Sequence, residues 1–250
     1  MTIIVCTHIY AWRVYDEVPL CVAANRDETL SRPFKTPHVW NSTPSIFAPK
    51  DTDEGGTWIG YNKERVLIGM TNRWLNSEGR RSRGLLVRDC LKKKSAKRAV
   101  DYAQSELKQE QYRPFHLVCA DDQSFYTITH NGEGSATTVR RDPGIYVAEN
   151  VGFGGEWFIP LHRAKKAKNQ IESAKKIYER MTTPVPATCT EWKDIAKTVL
   201  QDHKYGACRH GDGYGTKSSS ITTVGETINY YFAEGSPCKS NYKSISVPFS

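Results

Sequence analysis

Several features that would assign this chain to a familiar class are missing from its sequence. No two of the seven cysteines are spaced as Cys-x-x-Cys, which excludes a zinc ribbon and a thioredoxin-type redox pair. No apolar run is long enough to cross a bilayer, and no basic region precedes the short apolar N-terminus, so neither a transmembrane segment nor a signal peptide is predicted. We therefore expect a cytoplasmic protein with mostly free thiols.

Acidic residues are outnumbered, with 27 Asp and Glu against 35 Lys and Arg, a net charge of +8. The basic excess is concentrated in residues 92–98 and 163–168. Both runs lie in segments with helical periodicity, which indicates solvated helix faces rather than a nucleic-acid site. No nucleic-acid partner is expected. The alternative, a basic interaction module, predicts binding that weakens with salt.

Hydrophobic periodicity predicts two kinds of element in this 250-residue chain. Strands are predicted over residues 3–12, 20–24, 55–62, 66–74, 115–121, 125–130, 144–150, 218–224 and 228–234. Helices are predicted over residues 82–93, 95–107, 160–177 and 191–200, and a proline-rich loop over 33–44. Because the strands cluster and pair locally, we predict an α+β fold with antiparallel sheets and outer helices, in a single domain spanning residues 1–250.

Four consecutive polar residues, Asn25, Arg26, Asp27 and Glu28, follow the predicted strand that ends at Ala24. A charged turn and a polar active site at a strand end both explain them. The pair Gly55-Gly56, shortly before an apolar strand, also has two possible roles. It either makes a turn or lets a ligand approach the backbone closely.

A metal site is weakly indicated near the end of the chain. Cys208 and His210 lie close to His203. Two or three ligands are too few for a structural zinc site, so no metal is predicted.

An ordered set of motifs carries a resemblance to a known family. The motifs are CVAANRDE (21–28), Arg32-Pro33, GGTWIG (55–60), TNRW (71–74), RSRGLLVRD (81–89) and YGACRHGDGYGTKSS (205–219). With Cys6-Thr7 before them and the strand after them, the matched blocks run from Cys6 to about residue 241. The chain resembles the NRDE family, the family of the transport and Golgi organisation 2 proteins. The resemblance implies a four-layer αββα sandwich similar to N-terminal nucleophile hydrolases.

Members of the family typically begin Met-Cys-Thr, which corresponds here to Cys6-Thr7 after an extension of residues 1–5. In such hydrolases the first residue supplies both a thiolate that attacks a carbonyl carbon and an α-amine that acts as general base. With Val5 in front, the Cys6 nitrogen is an amide and cannot accept a proton. Three explanations stay open: the pentapeptide is removed, Val5 is a start codon read as methionine, or the protein is not a hydrolase.

The resemblance also implies roles for individual residues, by analogy with cysteine amidases such as bile-salt hydrolases. Cys6 is the nucleophile, Arg26 lowers its pKa, and Asp27 orients the α-amine. Asn72 and Asn150 are oxyanion or amine partners. Candidates for binding the ligand are Asn25, Trp58, Arg73 and Lys217. Each has a plain structural alternative, such as an Arg26–Asp27 ion pair or a buried Cys6 thiol.

Two functions follow from the resemblance. The first is a cysteine amidase that cleaves a carbon–nitrogen bond of a small amide. The alternative is a non-catalytic carrier or chaperone for haem or a lipid-like ligand, linked to secretory and Golgi organisation. No cofactor is predicted. Haem is a candidate ligand, with His8, His116 and His210 as axial candidates. The partner is a small-molecule substrate or a hydrophobic ligand, and the sequence makes no prediction of oligomeric state.

Overall fold

The computed structural model describes residues 6–134 and 136–249, so the predicted extension of residues 1–5 lies outside the described residues. The chain divides into two compact units. One contains residues up to Ser31 together with Pro143–Pro248, and the other contains Arg32–Asp142 together with Phe249. The prediction of a single domain over residues 1–250 stays a prediction.

The described residues form fifteen strands and four α-helices. In chain order they are β1 (Cys6–Trp12), β2 (Leu20–Thr29), β3 (Phe34–Trp40), β4 (Ile46–Asp51), β5 (Ile59–Asn62), β6 (Leu67–Asn72), α1 (Arg83–Cys90), α2 (Ala96–Glu106), β7 (Phe115–Ala120), β8 (Phe125–His130), β9 (Thr137–Arg140), β10 (Gly144–Glu149), β11 (Gly152–Phe153), β12 (Glu156–Trp157), α3 (Ala164–Thr182), α4 (Cys189–Gln201), β13 (Tyr214–Val224), β14 (Ile228–Glu234) and β15 (Lys243–Ile245).

The first unit contains an eight-stranded antiparallel sheet in the order β12-β11-β10-β1-β2-β13-β14-β15. The core on the helical face of this sheet combines β1 and β2 residues such as Ile9 and Ala23 with Ile177 of α3 and Trp192 of α4, all buried. The central strands β1 and β2 are buried along almost their whole length. Side chains at the ends of these strands therefore lie inside the protein.

The second unit contains a seven-stranded antiparallel sheet in the order β3 to β9. Its core combines strand residues such as Ile68 and Leu117 with Leu86 of α1 and Ala99 and Ala103 of α2. The two antiparallel sheets and the mixture of strands and helices confirm the predicted α+β class.

Four helices are present as predicted, although α3 begins at Ala164 rather than Pro160 and α4 at Cys189 rather than Glu191. Ser95 caps α2 by accepting from the Arg98 nitrogen, and Thr188 caps α4 by accepting from the Glu191 nitrogen at 3.1 Å. In α3 the buried positions recur every three or four residues, as in an amphipathic surface helix. Within residues 6–134 and 136–249, no helix has the length and apolarity needed to span a membrane.

Two sequence predictions about strands are wrong. The proline-rich segment over 33–44 contains β3 and leads into β4, and the register of this pair breaks between Lys35 and His38, around Pro37. An edge strand with a bulge tolerates proline because no ladder hydrogen bond is lost there. Strand β2 does not end at Ala24 but continues to Thr29, because β13 pairs with it along that length.

Candidate functional site

Cys6 opens β1 and pairs directly with Arg26 on β2. Its side chain is buried, and its backbone nitrogen donates a hydrogen bond of 3.2 Å to Oδ1 of Asn150, which directly follows β10. Three neighbouring strands therefore bring together Cys6, Arg26 and Asn150, which are three of the five candidate catalytic residues.

The four polar residues of β2 divide between the two faces of the sheet, because successive side chains of a strand point in opposite directions. Arg26 and Glu28 share the face of Cys6, with Nη2 of Arg26 3.6 Å from Oε2 of Glu28. Asn25 and Asp27 point to the helical face. The guanidinium and the Glu28 carboxylate are both largely buried, so this ion pair lies in a desolvated environment.

Asn25 was predicted to bind a ligand, and the structure shows a structural use for its amide. Its Nδ2 donates to the carbonyl oxygens of Leu200 and Ala207, each at 2.9 Å. These carbonyls lie near the end of α4 and in the loop that follows it. Asn25 thus holds this loop against the centre of the sheet.

Asp27 is fully buried and meets two residues from the last third of the chain. Thr216 of β13 donates to its Oδ1 at 2.5 Å, and Nε of Arg209 lies 3.5 Å from its Oδ2. Burial raises the pKa of the Asp27 carboxyl to about 7, although the Thr216 hydrogen bond and the Arg209 charge act in the opposite direction. This carboxyl can therefore change protonation state near neutral pH.

A second buried carboxyl, Glu149, lies next to Asn150. Thr7 donates to its Oε1 at 2.8 Å, and Gln170 of α3 donates to its Oε2 at 2.5 Å. The Gln170 amide also reaches Oδ1 of Asn150 at 3.3 Å. Burial raises the pKa of Glu149 to about 8. Gln170 thus fixes the orientation of the amide that accepts from Cys6.

The Cys6 thiol is strongly desolvated in this chain. Burial raises its pKa to about 12, and the Asp27 charge acts in the same direction. A hydrogen bond from the Asp27 backbone and the Arg26 charge lower the pKa, but burial outweighs both. The thiol is therefore protonated at neutral pH, and the thiolate that nucleophilic attack requires is scarce.

The remaining predicted residues have the following positions. Asn72 ends β6, opposite Phe115. Trp58 packs edge-on against Phe34 with ring centroids 5.9 Å apart. In Arg73, Nη1 lies 3.0 Å from Nε2 of His116, and burial lowers the guanidinium pKa to about 10. These three roles stay predictions.

Lys217 is one of the four residues that the sequence predicts to bind the ligand. It lies at a break in the β2–β13 register between Thr216 and Ser218, and its Nζ donates to the Leu30 carbonyl. The cation beside Asp27 is Arg209 instead. Arg209, Glu149 and Gln170 are not among the site residues that the sequence predicts. The signals in the sequence are that Arg209 lies within the motif of residues 205–219 and that Glu149 directly precedes Asn150.

The two glycines of the GGTWIG motif have different surroundings. A Cβ on Gly56 would lie 2.2 Å from the carbonyl carbon of Gly84, near the start of α1, and the Thr57 nitrogen donates to the Gly84 oxygen at 3.1 Å. The close approach that Gly56 permits is therefore made by the protein backbone. Gly55 has a positive φ of 71° and makes the turn before it.

The structure places a fourth potential metal ligand beside the three that the sequence indicates. His203, Cys208 and His210 lie around Cys238, which follows β14. The sequence prediction of too few ligands considered only residues close together in the sequence. The chain turns back after β14 and brings Cys238, which lies 28 positions beyond His210, to the other three residues.

Comparison with known proteins identifies the family. The model of the family described as "Transport and Golgi organisation 2" matches residues 5–236. The chain belongs to this family. The homologues "Transport and Golgi organization protein 2" from Bos taurus and Homo sapiens are each 26% identical over 242 residues, covering 87% of this chain and 86% of the relative. The resemblance drawn from the NRDE motifs is confirmed.

Solved structures show the fold of this Transport and Golgi organisation 2 family member. Penicillin V acylase from Agrobacterium tumefaciens superposes with a TM-score of 0.60 at 12% identity, covering 97% of this chain and 86% of that one. The N-acylethanolamine-hydrolyzing acid amidase orthologue of Caenorhabditis elegans gives 0.56 at 13% identity, covering 86% and 92%. At such identities the similarity establishes the fold alone, and it confirms the prediction of a fold similar to N-terminal nucleophile hydrolases.

Proposed function

We propose that the chain is a cysteine amidase that cleaves a carbon–nitrogen bond of a small amide once Cys6 has become the first residue. The observation that carries the proposal is the 3.2 Å hydrogen bond from the Cys6 nitrogen to Asn150, formed beside Arg26 and the buried Asp27. The nitrogen that would serve as base thus already has an acceptor that fixes its position. The acid amidase and acylase names of the structural neighbours support the reaction class.

Removal of the Val5–Cys6 peptide bond changes the chemistry of Cys6 in two ways. The amide nitrogen becomes an amine with a pKa of about 7.7–8.0, which accepts the thiol proton near neutrality. The resulting ammonium and the Arg26 guanidinium favour the thiolate, whereas the intact peptide offers no such proton acceptor. Cys6 becomes a nucleophile only in this form.

The reaction then follows in two balanced steps. The Cys6 sulfur attacks the amide carbonyl carbon, the carbon–nitrogen bond breaks, and the leaving nitrogen takes the proton held by the α-ammonium. Water then attacks the thioester, the α-amine accepts its proton, and the carbon–sulfur bond breaks to release the acid and the thiol. Asp27 and Asn150 hold the α-amine in place.

The test compares the full chain with a form that begins at Cys6, released by a protease that leaves no added residue. Intact mass establishes each N-terminus, and amine release from a panel of N-acyl amides measures turnover. We expect turnover only in the form beginning at Cys6, with loss of at least about a hundredfold on Cys6→Ser. Cys90→Ser, which removes a buried thiol of the second unit, serves as the matched control and should leave the rate unchanged.

The buried, protonated thiol of Cys6 in the uncut chain supports a second candidate function. Because the thiol is buried and protonated there, the fold would act as a non-catalytic carrier or chaperone for haem or a lipid-like ligand. A form beginning at Cys6 whose thiol titrates near 8.5 and which hydrolyses no amide in the panel would favour this carrier. Ligand binding that survives Cys6→Ser would support it directly. Either function is compatible with the predicted cytoplasmic location, where reducing conditions keep cysteines as thiols.

A further inference from the structure

A cluster of two imidazoles and two thiols lies on the loops next to β13. His203 begins a short 3₁₀ turn after α4, Cys208 and His210 follow in the loop that leads to β13, and Cys238 lies in the turn after β14. One ligand atom from each of the four lies within 4.8 Å of every other. Among the described residues this is the group of histidine and cysteine side chains best arranged to hold a metal ion.

The separations agree with tetrahedral zinc. Ligand atoms at zinc–sulfur and zinc–nitrogen bond lengths of about 2.3 and 2.0–2.1 Å lie about 3.3–3.8 Å apart in a tetrahedron. Nε2 of His210 is 3.8 Å from Sγ of Cys208 and 3.1 Å from Sγ of Cys238. All four ligand atoms lie within 4.8 Å of one another, which is at most about 1 Å more than the tetrahedral value. Since His203 and His210 are exposed, a rotation of their side chains can close that difference.

His203 is held in the tautomer that a metal ligand needs. Its Nδ1 lies 3.0 Å from the carbonyl oxygen of Cys208. Because a carbonyl can only accept a hydrogen bond, Nδ1 carries the proton and Nε2 carries the lone pair. Metal-bound histidines commonly donate their other ring N–H to a backbone carbonyl in this way, which orients the ring.

The two ligand loops are fixed by hydrogen bonds that need no metal. The Thr216 nitrogen donates to the Arg209 carbonyl at 2.9 Å, and the Arg209 nitrogen donates to the Thr216 hydroxyl at 2.9 Å. On the other side, Ser236 Oγ donates to the Thr216 carbonyl at 2.8 Å, and Gly235 N donates to the Lys217 carbonyl at 2.9 Å. The ligands are therefore preorganised around one stretch of β13.

We propose that His203, Cys208, His210 and Cys238 bind one zinc ion in a closed tetrahedral site. Two thiolates and two imidazoles favour zinc among the divalent metals, and their two negative charges balance the ion. With four protein ligands no position is left for substrate, so the site is structural. The zinc site would hold Arg209 in position, because Arg209 lies between Cys208 and His210 in the sequence and its side chain reaches Asp27. Zinc adds a cross-link between the turn after β14 and the loop that presents this cation to the buried carboxylate.

The test uses the full chain, stripped of metal by a chelator under reducing conditions. Zinc is titrated against a chromophoric chelator, and cobalt is added separately because a tetrahedral site with thiolates gives intense visible bands and a thiolate charge-transfer band. We expect one ion per chain. Cys238→Ser and His203→Asn should each weaken zinc binding by at least about a hundredfold. The matched controls, Cys189→Ser and His162→Asn, change the same residue types outside the cluster and should bind as the unaltered chain does.

Three results would overturn the proposal. They are zinc binding only at millimolar concentration, equal binding by the cluster variants and the controls, and a Cys208–Cys238 disulfide that persists in the reductant and removes both thiolates. His203 is exposed, so its variant should remain folded even if Cys238→Ser does not. None of these readouts involves amide hydrolysis, so the zinc site and the amidase are tested separately.

Discussion

The backbone nitrogen of Cys6 and the side-chain oxygen of Asn150 lie 3.2 Å apart, although 144 positions separate them in the chain. This contact joins the first strand to the end of β10. It places an acceptor on the atom that changes from amide to amine when Cys6 becomes N-terminal. Gln170 holds the same oxygen from α3, so the acceptor has a fixed direction.

The first prediction concerns that acceptor. In the form that begins at Cys6, Asn150→Ala should lower kcat for amide hydrolysis by about a hundredfold, because a base displaced by an ångström no longer reaches the thiol proton. Asn229→Ala, an exposed asparagine of β14, is the control and should leave kcat unchanged. Equal kcat values for the two variants would remove Asn150 from the mechanism.

The second prediction concerns the Arg209–Asp27 pair. Arg209→Ala leaves the buried Asp27 carboxylate without its nearby cation and should lower the free energy of unfolding by about 2 kcal/mol. This is less than the 3–5 kcal/mol for a fully buried pair because the Arg209 side chain is 31% exposed. Urea denaturation at pH 8 measures the change in the free energy of unfolding. Lys176→Ala, on the exposed side of α3, should change stability by less than about 0.5 kcal/mol. A loss no larger than that of this control would show that Arg209 does not stabilise Asp27.

The third prediction concerns pH and Glu149. The folded pKa of about 8 lies above the ordinary value of 4.5, so the folded state holds the proton more tightly than the unfolded chain does. Stability from this group is complete below pH 4.5 and is lost as pH rises through 8. Glu149→Gln should therefore match the unaltered chain near pH 4.5 and exceed it by a few kcal/mol at pH 8.5.

Thermal or urea unfolding of both proteins across pH 4.5–8.5 measures this difference. Asp27, whose pKa is also raised, is present in both proteins, so the difference between the two curves isolates Glu149. A difference that stays constant with pH would mean that Glu149 does not titrate in this range.

The fourth prediction concerns the glycine motif. Gly56→Ala places a Cβ 2.2 Å from the Gly84 carbonyl carbon and should destabilise the protein by about 3 kcal/mol, because two backbone segments must separate. Gly144→Ala, whose Cβ would meet nothing nearer than the Tyr146 hydroxyl at 3.7 Å, should change stability by less than about 1 kcal/mol. Comparable melting temperatures for the two variants would contradict the assigned backbone contact.

The sequence predicts the strands and helices where apolar periodicity is regular, and it fails where polar residues interrupt that periodicity. The sequence predicts that β2 ends at Ala24 because the next four residues are polar. The partners that allow their burial, such as the Leu200 carbonyl and Thr216, lie about 175–190 positions away. No local pattern carries that information.

The sequence likewise indicates some residues of the candidate site and not others. Cys6 and Arg26 stand in recognisable motifs, Asn150 is predicted by analogy with cysteine amidases, and the structure brings the three together. The choice between Arg209 and Lys217 depends on the irregularity of β13 between Thr216 and Ser218, which alters the direction of the side chains and leaves no mark in composition or spacing. Cys238 joins the histidine and cysteine cluster only through the reversal of the chain after β14.

The alternation of Asn25, Arg26, Asp27 and Glu28 between two faces has a consequence for how substitutions at these positions behave in cells. Asn25 and Asp27 hold the loop and the strand on the helical side, whereas Arg26 and Glu28 lie on the side of the thiol. In a scan of all substitutions at this motif, odd positions should reduce the amount of protein through lost contacts with the loop and β13, because misfolded chains are degraded. Even positions break the buried Arg26–Glu28 pair, so they should also reduce abundance and in addition change the reactivity of the Cys6 thiol. A motif that reads as one block would then separate into two classes of phenotype with a period of two.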